Sequence, residues 1–240
     1  MRVLVTRPEP GGKRTAARLR RIGHEPVLMP LFKARVTAEV SDLPPAHALS
    51  GLIATSARAF DMFPAGAADP ALGGLPVHAV GAATARAARA AGFRDVREGG
   101  GTARELADSL RASGAGDGRL LYLAGTPRTA VIEDSFKVER FAHEVLECYR
   151  MDEISYPTDS LTCDILTPFP EVVLLYSANA GRRLVELVEA EALGYRLDSA
   201  RFLCLSETIA AELPARWRVN AAVAVRPNED SLLASLTALG

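Results

Sequence analysis

The sequence carries a weak internal repeat, and that repeat limits the fold more than any other feature. Leu4-Val5-Thr6-Arg7-Pro8 is echoed in Leu121 to Arg128. Leu52-Ile53-Ala54-Thr55-Ser56 is echoed in Val173-Leu174-Leu175-Tyr176-Ser177, and His78 to Ala85 in Phe202 to Ala210. Gly101 to Leu110 is echoed in Pro227 to Leu236. The copies lie about 120 residues apart, too far for a solenoid and about right for a duplicated domain. Two similar domains create a cleft in which a large ligand can sit.

Within each copy the pattern is strand, turn, helix. Leu120-Leu121-Tyr122-Leu123 and Val172-Val173-Leu174-Leu175 are continuous apolar runs, suited to parallel strands buried on both faces. Val3 to Val5, Pro26 to Phe32, Gly51 to Ala54 and Val77 to Val80 are further strand candidates. Lys13 to Ile22 has helical spacing and stops at Gly23; an Ala-rich helix after Gly81 stops at Gly92. Thr102-x-x-Glu105 is a capping box. Alternating strands and helices predict an α/β architecture of two similar doubly wound parallel-sheet domains. Two proline-containing stretches interrupt the rhythm. They predict an outer domain of residues 1–34 plus 171–240 and an inserted domain of 48–148, with linkers at 35–47 and 149–170. A head-to-tail pair of domains also fits the repeat.

Composition excludes several classes. A formal net charge of −1 gives no global field for nucleic acid. No apolar run reaches the roughly 20 residues of a membrane span, and the start is too short in apolar residues for a signal peptide. Cytoplasmic location is therefore expected. Cys148, Cys163 and Cys204 are odd in number and widely spaced, and His24, His47, His78 and His143 are scattered, so neither a disulfide framework nor a metal site is expected. Walker and dinucleotide fingerprints are missing. A single Trp217 weakens a case for sugar stacking.

No nucleophile–histidine–acid constellation stands in the strand-to-helix turns. Small hydroxylated residues do: Thr6, Thr55, Ser56, Thr84, Thr126, Ser177 and Thr208. Doubly wound sheets bind ligands at strand C-terminal ends, where helix N-termini offer free N–H groups to carboxylates. Arg7, Arg58, Arg128 and Arg182 lie near the same turns and suit carboxylate pairing. Each feature has an ordinary structural alternative: N-capping for the hydroxyls and solvation for the arginines. Gly99-Gly100-Gly101 reads either as an anion cradle or as a plain strand exit.

The ordered segments Val5-Thr6-Arg7-Pro8, Gly23-His24-Glu25-Pro26, Ile53-Ala54-Thr55-Ser56, Val80-Gly81-Ala82-Ala83-Thr84-Ala85, Cys148-Tyr149 and Leu175-Tyr176-Ser177 resemble the uroporphyrinogen-III synthase family over nearly the whole length. One turn departs: Ser206-Glu207-Thr208-Ile209 has Ser for the family's Gly and Ile at its Thr position. The resemblance implies two α/β domains joined by a two-stranded linker, with the active site in the cleft between them. It implies a monomeric, cofactor-free lyase that converts hydroxymethylbilane to uroporphyrinogen III with inversion of the last pyrrole ring. Tyr149 is then the proton donor to the departing hydroxyl. Thr6, Arg7, Thr55, Ser56, Arg58, Thr84, Arg128, Ser177 and Thr208 are the candidate substrate contacts. A transient contact with the bilane-producing enzyme belongs to the same picture, with no nucleic-acid or membrane partner. The alternatives are a non-catalytic tetrapyrrole- or anion-binding protein of the same fold, and a two-domain nucleotide- or sugar-binding protein.

Overall fold

The apolar runs of the sequence become the central strands of two sheets. A computed structural model describes residues 1–63, 70–114 and 118–237. The chain begins with β1 (Arg2–Val5), α1 (Gly11–Arg21), β2 (Glu25–Leu28) and β3 (Phe32–Val36). There follow β4 (Gly51–Ala54), α2 (Arg58–Asp61), α3 (Pro70–Gly73), β5 (Val77–Ala79), α4 (Ala82–Ala90) and β6 (Val96–Glu98). Next come α5 (Ala103–Ala112), β7 (Leu120–Thr126), α6 (Val131–Glu139) and β8 (His143–Glu153). The last stretch holds β9 (Val172–Leu175), α7 (Ala178–Ala190), β10 (Arg201–Cys204), α8 (Glu207–Ala211), α9 (Ala215–Arg218), β11 (Ala221–Val223) and α10 (Glu229–Thr237).

The chain divides into two units, one of Met1–Lys33 with the stretch from Asp152 onward, the other of Ala34–Met151. The chain passes from one to the other within β3 and returns within β8. The first unit holds a sheet in the order β11-β10-β9-β1-β2, and the second a sheet in the order β3-β8-β7-β4-β5-β6. All four pairings of the first sheet are parallel, as are β8-β7, β7-β4, β4-β5 and β5-β6 of the second.

The two orders superimpose term by term: β2-β1-β9-β10-β11 against β8-β7-β4-β5-β6. Register confirms the match. Val173 pairs with Leu4 and Phe202 in the first unit, as Leu52 pairs with Leu121 and Val77 in the second. These are the equivalences of the sequence repeat, so the repeat records a shared topology entered at different points of the chain.

Alternation explains the burial. In the first unit Leu4, Val173, Leu175 and Phe202 face α7 and Trp217, while Val3, Val5, Leu174 and Leu203 face α1 and α10. In the second, Leu52, Ala54, Leu121 and Leu123 pack with Phe60 and Phe93, while Ile53, Leu120 and Tyr122 pack with Leu106, Leu110 and Phe136. His78, beside Ile53 in register, is fully buried, and neither ring nitrogen has a hydrogen-bond partner among the described residues.

Local signals act as their chemistry requires. Gly23 (φ +82°) follows α1 and Gly92 (φ +96°) follows α4 as left-handed stops. Thr102 Oγ1 accepts from Glu105 N–H at 3.2 Å, and the Glu105 carboxylate accepts from Thr102 N–H at 3.1 Å. One expected strand is divided: Pro26 to Phe32 splits into β2 and β3. Met29 N–H bonds Val5 and Leu31 N–H bonds Thr6, while Pro30 lacks a donor and its carbonyl accepts from Tyr156 Oη at 2.9 Å. Among the described residues, no helix is long and apolar enough to cross a membrane.

Candidate active site

A doubly wound sheet opens at the point where its winding reverses, because the flanking loops there turn to opposite faces. That point lies between β7 and β4 in the second unit and between β1 and β9 in the first.

In the second unit, β4 ends in Thr55-Ser56 and β7 ends in Gly125-Thr126. Thr55 Oγ1 lies 3.0 Å from the hydroxyl of Tyr122, whose ring is buried under α5 and α6. Burial raises the Tyr122 phenol, opposed by the Thr55 hydrogen bond and modulated by Glu133, Arg128 and Tyr149 nearby. Thr55, Tyr122, Arg128 and Tyr149 thus share one corner. Ser56 Oγ accepts from the Arg58 N–H at 3.2 Å, spanning Ala57, the N-cap of α2. Tyr149 lies on β8 opposite Gly125 and is 8% exposed. Its hydroxyl forms no hydrogen bond among the described residues.

Arg128 is held by two carboxylates, Glu133 at 2.9 Å and Glu147 at 2.7 Å. The Glu147 hydrogen bond leads in keeping Arg128 above its ordinary value, and Arg128 in turn holds the Glu147 carboxyl below its own. Arg128 therefore contributes positive charge to a local network rather than an isolated guanidinium.

The neighbouring turn follows β5. Gly81 is the N-cap of α4, with no side-chain cap and no acidic residue in the first turn. Thr84 sits in that turn, 4% exposed, and its hydroxyl has no hydrogen-bond partner among the described residues. The Gly99–Gly101 loop is different: the Glu105 carboxylate covers Gly100, as an added Cβ there would meet it. A carboxylate in that place disfavours an anion.

The first unit fills its own corner from within. Thr6 is fully buried and donates to the Leu174 carbonyl at 2.7 Å. Arg7 lies over the Tyr176 ring at 4.5 Å and pairs with Glu229 at 3.0 Å. Glu229 also accepts from Thr15, from Arg18 at 3.0 Å and from Tyr176 Oη at 3.2 Å. Burial pushes the Glu229 carboxyl up, but Thr15, Arg7 and Arg18 together outweigh it and hold the group below its ordinary value. Ser177 caps α7, accepting from Ala180 N–H at 3.2 Å. Thr208 is exposed in the first turn of α8, and Ile209, 5% exposed, takes the buried place that Thr84 holds in α4. Arg182 pairs with Glu212 at 2.6 Å.

Sequence reasoning singled out Thr55, Ser56, Arg128 and Tyr149 and overlooked Tyr122, Gly125 and Glu229. The repeat held a signal at two positions of this comparison. It sets Tyr176 against Thr55 and Glu229 against Ala103, a bulky aromatic and an acid against small residues. A groove of about 850 Å³ between α5 and α6 is lined by Arg104, Asp108, Arg111 and Glu139, away from these strand ends.

Two doubly wound parallel sheets of matched topology, each with polar turns at its switch point, define a two-unit α/β protein. Residues 13–234 match the family model described as Uroporphyrinogen-III synthase HemD, and the chain belongs to that family of enzymes. Among solved structures it is similar to the uroporphyrinogen-III synthetase from Helicobacter pylori, at 15% identity over 100% of both chains with a TM-score of 0.70. It is also similar to a mutant uroporphyrinogen III synthase from the extremely thermophilic bacterium Thermus thermophilus, at 20% identity over 99% of this chain and 98% of that one, with a TM-score of 0.60. Those likenesses show the fold. The comparison with curated proteins finds no match. Nothing found favours the non-catalytic alternative.

Proposed function

We propose that this chain cyclises hydroxymethylbilane to uroporphyrinogen III, inverting the last pyrrole ring and releasing water, as a hydro-lyase. The family match across residues 13–234 carries the reading. Loss of the terminal hydroxyl leaves an electron-poor azafulvene. Attack by the substituted carbon of the last ring gives a spiro intermediate, which reopens and recloses inverted. Neither elimination nor ring closure changes the oxidation state overall, so the reaction calls for no redox cofactor.

The bilane also closes unaided without inversion, so catalysis is mainly orientation plus assistance to a poor leaving group. The second unit supplies residues suited to both. Tyr149, with a buried ring and a hydroxyl not committed within the described structure, donates to the departing hydroxyl, which leaves as water. Thr55, Ser56 and Thr84, with the uncapped N-terminus of α4, take substrate polar groups and carboxylates. Arg58 supplies positive charge to the same end of the sheet, and Arg128 is positioned there by Glu133 and Glu147, free to exchange one of them for a substrate carboxylate. In the first unit Thr6, Arg7 and Ser177 act chiefly by holding the strand-end turns, and Thr208 offers a surface hydroxyl. The enzyme works as a monomer in the cytoplasm. Because its substrate closes spontaneously, a transient contact with the bilane-producing enzyme shortens the transfer.

The test is isomer analysis after oxidation, with the purified protein coupled to a bilane-producing enzyme. The type III isomer is expected to dominate; the uninverted isomer alone would overturn the reading. Tyr149→Phe is expected to lower turnover about 100-fold, the scale of a positioned general acid.

A further inference from the structure

β8 contains a bulge at the candidate tyrosine. Ala124 pairs with Glu147, but Gly125 pairs with Tyr149, which leaves Cys148 as the extra residue. Strand side chains alternate between faces. Leu146 and Cys148 point into the core that holds Leu52, Leu121 and Leu123, and Val145 packs against the opposite core. In an unbroken strand Tyr149 would lie on the Val145 face. The bulge returns it to the core of Leu146 and Cys148. Bulges re-aim side chains in this manner.

The re-aimed ring lies against Gly125. A Cβ added there would stand 2.5 Å from Tyr149 Cε2 and Oη, and closer still to Cζ. The Gly125 backbone is not among those with positive φ, so no conformational reason calls for glycine. What the site requires is the missing side chain. In the first unit the β1–β2 ladder ends at Val5 and Leu28, before the corresponding position.

We propose that Gly125, facing the Cys148 bulge, is a positioning residue that seats the Tyr149 phenol for the ring-closure reaction. The proposal rests on the reading of Tyr149 as proton donor. Its test is a double-mutant cycle of Gly125→Ala and Tyr149→Phe. Gly125→Ala is expected to lower kcat at least tenfold with KM changed less than about threefold, the split of a group acting in the transition state. In the Tyr149→Phe background the same change is expected to cost less than about threefold in kcat, because the hydroxyl it misplaces is already gone. Wild-type kcat in Gly125→Ala, or full additivity of the two changes, would overturn the inference while Tyr149→Phe remained impaired. Wild-type turnover in Tyr149→Phe would instead overturn the role of the tyrosine. If Gly125→Ala does not fold, the Gly125→Ala/Tyr149→Ala pair removes the ring and is expected to fold; its failure to do so would also overturn the proposal.

Discussion

The β1/β9 corner and the β7/β4 corner occupy the same place in the same topology, yet one is closed by charge and the other is lined by hydroxyls. In the first unit Tyr176 stands where the second has Thr55, and Glu229 stands where the second has Ala103. The larger residues meet: Arg7, Arg18, Thr15 and Tyr176 all converge on the Glu229 carboxylate. The second unit leaves its Thr55 and Tyr122 hydroxyls joined to each other and sets Tyr149 over a glycine. Topology therefore fixes where a site can form, and side-chain exchanges decide where the protein's own carboxylates stand: on Arg7 and Arg18 through Glu229 in the first corner, on Arg128 through Glu133 and Glu147 in the second.

The contrast is tested most strongly at β5. His78 takes the position that Leu203 fills in the first unit, beside the corresponding residue of the central strand. Burial, with Arg97 assisting and Asp95 opposing, pushes the His78 imidazole down to about 4 from 6.5. The unfolded chain then binds a proton that the folded one refuses. Stability is fully present above about pH 6.5 and falls as pH drops toward 4. That gap corresponds to roughly 3 kcal/mol. His78→Leu is expected to remove about this much acid sensitivity, read as the difference between urea unfolding at pH 7 and pH 4 for variant and parent. Equal acid sensitivity in the two proteins would show that His78 is not its source.

Glu229→Gln comes next. It leaves two cations facing a neutral amide in a half-buried setting, and about 2 kcal/mol of stability is expected to go, between the values for exposed and buried pairs. Activity per folded molecule should hold within about threefold if the first corner is structural. A collapse of kcat/KM without loss of stability would mean that Arg7 serves the substrate directly.

Thr84→Val keeps shape and deletes the hydroxyl. About tenfold in kcat/KM should be lost with little change in Tm, as for one substrate hydrogen bond. Full activity with raised stability would make Thr84 a core residue like Ile209. The smallest effect belongs to Ser177→Ala, about 1 kcal/mol for a lost helix cap with near-normal turnover. A large kinetic defect there would move the first-unit turn into the site.

Much of this was legible because it is written locally. Continuous apolar runs announced parallel strands, Gly23 and Gly92 announced helix stops, and Thr102 with Glu105 announced a cap. The repeat even carried the strand equivalences. What escaped depends on partners distant in sequence. Pro26 to Phe32 reads as one strand until Val5, Thr6 and Tyr156 claim its backbone groups. Tyr122 reads as core until register sets it beside Ile53 and so brings its hydroxyl to Thr55, two residues on. The Cys148 bulge has no signature of its own, since only pairing with β7 reveals the extra residue. Thr6 reads as a candidate ligand contact from its turn alone; its bond to the Leu174 carbonyl depends on a strand distant in sequence.

The way the sheets are threaded has a consequence for synthesis. The second unit is drawn from one unbroken stretch, whereas β1 must wait for β9, some 170 residues later, to find its central neighbour. At ribosomal speeds of about 5–20 residues per second, that is a delay of roughly ten to thirty seconds. During it the newborn Val3-Leu4-Val5 edge lacks its β9 partner while the middle of the polypeptide is already able to fold. Nascent chains halted after β8 should therefore contain a protease-resistant middle and a labile leading segment.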